Sequence, residues 1–252
     1  MSATVSATAS TTPSLTSTST PTSTAPTTEP VTGTARSLAK APWVWSGAVA
    51  GVGGVVAMLV LNMPFPTEQQ AAGGVETVYD ALDGQKAVQI GASLGFVVAW
   101  ALALFSVGFI GHLRRVLPQD SVLPALVRVA LTASVGAMFI GFGARAAAAG
   151  GMPGGIDHGF YTHADTVVIS TLAGQLQWVG WQGVCLAMAA TAVAAFRHRA
   201  MPKWVGAIGA LLTLAVAGMT LVLCLPYSAG IAGPVFLTAL SVGLLITRKY
   251  RA

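Results

Sequence analysis

The chain alternates long, continuously apolar runs with short polar stretches, and the apolar runs are of bilayer-spanning length, which needs about 20 residues. Six such runs are readable. The first goes from about Trp43 to Met63 and stops at Pro64 and Pro66; the second goes from about Val88 to Gly111, before His112, Arg114 and Arg115. The third covers about Ala125 to Ala147, and the fourth about Val168 to Phe196, before Arg197, His198 and Arg199. The fifth lies between Pro202 and Pro226, from about Trp204 to Leu225, and the sixth covers about Ile231 to Thr247. None alternates strictly between apolar and polar residues, as the strands of a membrane barrel would. The pattern predicts an all-α, polytopic bundle of six transmembrane helices over residues 41–252. A short amphipathic helix is expected near Val75 to Leu82 in the first loop.

Residues 1–40 break this pattern. They are almost wholly Ser, Thr, Pro and Ala, which cannot bury enough apolar surface to offset ordering entropy, so a disordered tail is expected. They lack the basic start and apolar run of a signal peptide. Composition supports the membrane reading. Of 252 residues, 54% are hydrophobic and 8% charged, against about 25% charged in a soluble domain. The net charge of +5 forms no basic stripe, so nucleic acid is not an expected partner. The lipid bilayer is.

The basic residues assign an orientation. With the N-terminus inside, Arg36, Lys40, Arg114, Arg115, Arg128, Arg197, Arg199, Lys203, Arg248, Lys249 and Arg251 fall on the inner side, and only Lys86 and Arg145 on the outer. The positive-inside rule therefore predicts both termini in the cytoplasm. Trp43, Trp45 and Trp204 sit where an interfacial belt belongs, and Trp100, Trp178 and Trp181 are expected inside the bundle. Cys185 and Cys224 are too few for a disulfide framework and lie at different depths, so two free thiols are expected.

Candidate chemistry is sparse. In the fourth helix Thr171, Gln175, Trp178, Gln182 and Cys185 recur at spacings that share one face. Such a face should turn inward, as interhelical hydrogen bonding or as the wall of a polar cavity; Gln177 lies off it. Arg145, near the outer end of the third helix, is expected to snorkel to headgroups, the alternative being pairing with Asp157, Asp165 or the amides of the fourth helix. The loop Gly150 to Asp165 carries Asp157, His158, His163 and Asp165, whose imidazoles and carboxylates suit a divalent metal, although their spacing is not that of a helical HExxH pair. No other cofactor is implied. The pairs Gly47–Gly51 and Gly91–Gly95 and the stripe Ala133, Ala137, Gly141 allow close helix approach, within the chain or in a homo-oligomer.

No nucleotide loop, hydrolase elbow, kinase set or calcium loop occurs in the sequence, and no ionisable residue sits at the middle of a predicted span. The basic Leu113-Arg114-Arg115 hinge and the Met201-Pro202-Lys203-Trp204-Val205-Gly206 helix start resemble those of uncharacterised six-helix integral membrane proteins of bacteria with GC-rich genomes. The resemblance implies the fold and brings no activity. The leading function is a non-catalytic membrane component, an accessory or scaffold for a membrane-protein partner. A small-solute transporter or channel lined by Thr171, Gln175, Gln182 and Arg145 is the alternative, and a metal-dependent membrane enzyme using His158 and His163 a third.

Overall fold

The computed structural model describes residues 42–61, 66–82 and 85–247. The expected disordered tail, Pro64, Asp83 and the basic residues Arg36, Lys40, Arg248, Lys249 and Arg251 lie outside them. The elements are α1 (Pro42–Val55), α2 (Glu68–Ala72), α3 (Val75–Asp80), α4 (Gln85–Val116), α5 (Leu123–Gly151), α6 (His163–Val179), α7 (Gln182–His198), α8 (Lys203–Leu221) and α9 (Ala229–Thr247). No strand occurs among the described residues. Among the described residues six spans are long and apolar enough to cross a membrane, α6 and α7 counting together as one of 36 residues. Lipid offers no hydrogen bonds, so only an element that satisfies its backbone internally can cross it.

Short-range chemistry sets the ends. Thr67 and Gln70 form a capping box before α2, and Thr162 and Asp165 form another before α6; each satisfies donors that a helix start leaves open. Pro124 occupies the first turn of α5, where its missing N–H costs nothing. α7 ends at Arg199 in the left-handed region, with φ of 51°, and Pro202 caps the start of α8.

Two irregularities interrupt the spans. α1 widens at Val56–Val60 into a π-turn, closed by the Leu61 N–H on the Val56 carbonyl at 3.0 Å. The fourth span, expected as one continuous helix, breaks at Gly180 and Trp181 into α6 and α7. The break costs little because α5 packs into it. A Cβ on Gly180 would stand 3.1 Å from Met138, and the Ser134 hydroxyl accepts the Val184 N–H at 3.0 Å, capping the first turn of α7 from a neighbouring helix. Trp181 is fully buried and fills the space left by Gly54 of α1 and Gly233 of α9.

The spans close into a ring in chain order: α1 packs on α4, α4 on α5, α5 on α6 and α7, α7 on α8, α8 on α9, and α9 back on α1. The expected close approaches are made inside the chain. Gly47 meets Phe105 and Ser241, Gly51 the backbone of α9 at Pro234 and Thr238, and Gly95 the ring of Phe142. Small residues are needed there because no hydrophobic contrast draws helices together in lipid. Trp178 and Trp181 are buried as expected. Trp100 is not: it is 58% exposed, because the inward face of α4 is formed by Gly95, Val98, Ala99 and Leu102, and Trp100 points the other way.

Candidate functional site

Arg145 organises the most polar point in the bundle's interior. It lies six residues before the end of α5, about 9 Å along the axis. Centred in a hydrocarbon layer of about 30 Å, α5 places it only about 3 Å below the boundary, within easy reach of headgroups. It nevertheless has no exposed surface. Direction explains this. Side chains on a helix tilt toward its N-terminus, and for α5 that is away from the nearer membrane surface. The expected snorkelling is therefore replaced by an inward course.

Three helices besides its own receive the guanidinium. Nε donates to the Val88 carbonyl of α4 at 3.2 Å, and Nη1 donates to the Ala57 carbonyl at 3.2 Å and to Oε1 of Gln177 at 2.8 Å. Ala57 belongs to the π-turn that ends α1. Carbonyls of a last turn lack intrahelical partners and form the negative end of the helix dipole, where a cation is stabilising. Arg145 thus caps α1 from a helix that α1 does not follow. Among the described residues no carboxylate pairs with it, so carbonyl and amide dipoles carry the compensation of its charge. Among the described residues Nη2 has no hydrogen-bond partner, and it lies against Gly91. A Cβ on Gly91 would stand 2.1 Å from Nη2 and 2.8 Å from the Leu61 carbonyl oxygen, so only glycine leaves room for the guanidinium there.

Pairing of Arg145 with an amide of the fourth helix was the alternative the sequence offered, but it did not single out Gln177 as that amide. The expected stripe ran through Gln175 and Gln182, and Gln177 lay off it. In the structure Gln177 is fully buried, and the backbone of α6 at Gln177 comes against Gly141 of α5. That small-residue position on α5, four residues before Arg145, was the available signal.

The expected stripe does not form one wall. Thr171 and Gln175 are exposed, and the Thr171 hydroxyl donates to the Val167 carbonyl of its own helix at 2.9 Å. The break at Gly180 and Trp181 shifts the register beyond it. Gln182 is half-buried and donates to the Pro226 carbonyl at 2.7 Å and to the Thr220 hydroxyl at 3.3 Å, tying α7 to the α8–α9 connection. Cys185 is buried and Cys224 exposed, both as free thiols.

The His and Asp residues around the start of α6 do not converge. Asp165 accepts from the Thr162 hydroxyl at 2.6 Å and caps its own helix. His163 faces the other way: its Nδ1 meets Oε2 of Glu76 at 2.5 Å, and its ring stacks on Tyr79 with centroids 3.8 Å apart. Asp157 approaches Gly150, and His158 is exposed. Among the described residues no three His, Cys, Asp or Glu side chains gather where they could hold a metal ion. What His163 does instead is fasten α3 to α6. Tyr79 and Leu82 then pack with Val88, Ala148, Met152 and Ala173 in an apolar layer. Val88 belongs to this layer and also accepts from Arg145, so the layer separates the guanidinium from that end of the bundle.

No family model matches the chain, and no curated protein or solved structure matches it.

Proposed function

We propose that this protein is a non-catalytic, multi-pass component of the bacterial plasma membrane, with both termini cytoplasmic, that works by associating with another membrane protein in the plane of the bilayer. One observation carries the reading: α6 presents the side chain of Gln175 on an uncovered face. Centred in about 30 Å of hydrocarbon, the 36-residue span puts Gln175 about 7 Å below the boundary. A primary amide there pays for every unmade hydrogen bond, and polar side chains at this depth act as contacts between helices. Three other polar side chains of the spans are engaged within the chain. Arg145 and Gln177 hold four helices together, and Gln182 holds a connection.

The test is a photo-crosslinking residue placed at Gln175 in cells, with the same residue at Leu214 of α8 as control. A covalent adduct from position 175 and none from 214 is the expected result. Irradiation that leaves the chain uncrosslinked from position 175 would remove the reading.

A further inference from the structure

We propose that the partner covering α6 is a second copy of this chain, with Gln175 of one copy bonded to Gln175 of the other across a two-fold axis along the bilayer normal. The proposal rests on the in-plane association argued above and names its partner.

Not every uncovered face asks for a partner. α8 exposes Leu211, Leu214 and Leu221, but lipid tails solvate such a face as well as another helix would. The α6 face differs. Val168, Leu172 and Val179 are exposed along it, and Gln175 stands among them with no hydrogen bond to any described residue. Thr171, one turn before Gln175, already gives its hydroxyl proton to the Val167 carbonyl; its oxygen keeps a lone pair for an incoming N–H.

Membrane insertion selects the second copy. Two copies of one chain enter the bilayer with the same orientation, so a two-fold axis relating them runs along the normal. Their α6 helices then lie parallel, and like residues meet at equal depth. Gln175 suits such self-pairing because a primary amide carries both donors and an acceptor: each can donate to the other's carbonyl oxygen, with the Thr171 oxygen as a further acceptor. An isologous contact needs this self-complementarity. The small-residue positions Gly47, Gly51, Gly91, Gly95 and Gly141 are not available for the purpose, since side chains or backbone of the same molecule fill them.

The experiment uses the purified full-length protein in liposomes, with Cys185 and Cys224 replaced by Ala. Single cysteines are placed at Leu172, Val179 and, as control, Leu214, leaving Gln175 intact. Oxidation should give disulfide-linked dimers from 172 and 179 and none from 214. In a companion energy-transfer measurement on lipid dilution, Gln175→Leu should raise the dimer dissociation constant about three- to thirty-fold, the size of one or two intramembrane hydrogen bonds. Gln175 supports no contact in the single chain, so melting of the diluted variant should match the parent; this shows that the loss is one of association. A parent protein that stays monomeric at every dilution, or equal crosslinking from 214, overturns the dimer. In cells, an adduct from position 175 to a different protein only would also overturn it while leaving the association reading intact. No adduct of either kind overturns both.

Discussion

The guanidinium of Arg145 and the side-chain amide of Gln177 meet at 2.8 Å between α5 and α6, at a point where neither residue has exposed surface. The same guanidinium nitrogen also reaches the last turn of α1. One side chain therefore sets how three spans approach the fourth, and its removal should be felt through the whole bundle.

Arg145→Met should lower the stability of the purified protein by about 1–3 kcal/mol, because it strips partners from the Ala57 carbonyl and the Gln177 amide. Arg145→Lys should do no better. An ammonium keeps the buried charge but lacks the planar fork that reaches acceptors on three helices. Reversible unfolding in mixed micelles measures both. A lysine variant as stable as the parent would mean that charge, and not the geometry of the fork, matters at this position.

Gly91→Ala should be among the costliest single-methyl additions in the chain. Its Cβ would collide with Nη2 of Arg145 and the Leu61 carbonyl oxygen, and backbone cannot yield as a side-chain tip does; overpacking of this kind costs about 1–3 kcal/mol. Gly111→Ala, in the same helix with nothing within 4 Å, should instead stabilise by up to about 1 kcal/mol through helix propensity. Opposite signs for the two in thermal unfolding are the outcome to look for.

Ser134→Ala removes the acceptor that caps Val184 at the break between α6 and α7. The N–H it leaves behind is buried in lipid-spanning structure, so a loss of about 1–2 kcal/mol is expected. Faster hydrogen exchange should be confined to the first turn of α7. Unchanged exchange at Val184 would show that the hydroxyl is not its partner.

His163→Ala breaks both contacts that fasten α3 to α6. His163 and Glu76 are 48% and 75% exposed, and exposed ion pairs contribute less than about 1 kcal/mol. Global stability should hardly change. The local effect should be larger: limited proteolysis is expected to cut within residues 75–82 faster than in the parent, with the spans untouched. Equal cutting rates would mean that the apolar packing of Tyr79 and Leu82 suffices.

The six spans and the short helix in the first loop were legible in the sequence because each follows from local pattern: the length of an apolar run, or a polar or proline stop. The π-turn at Val56–Val60 and the break at Gly180 were not. Apolar residues run through the first without interruption, and at the second, flanked by Gln177 and Gln182, only Gly180 between two tryptophans hinted at a break. Trp100 went to the wrong side for a related reason, since the face of α4 that turns inward is chosen by where glycine admits Phe142 and Arg145.

The sequence by itself determined that the chain has six helices long and apolar enough to cross a bilayer, roughly where each lies, and that its few charges avoid the middle of the spans. Tertiary structure alone decided the rest: that Arg145 runs inward, that Gln177 and not Gln175 receives it, and that Gln175 is left uncovered. The physical reason is the solvent. In water, periodicity reveals the buried face because the other face must be polar; in lipid both faces are apolar, so the pattern gives helices without saying which side is covered. Which acceptors are free for a buried cation is settled later still, where the last turn of one helix meets the side of another.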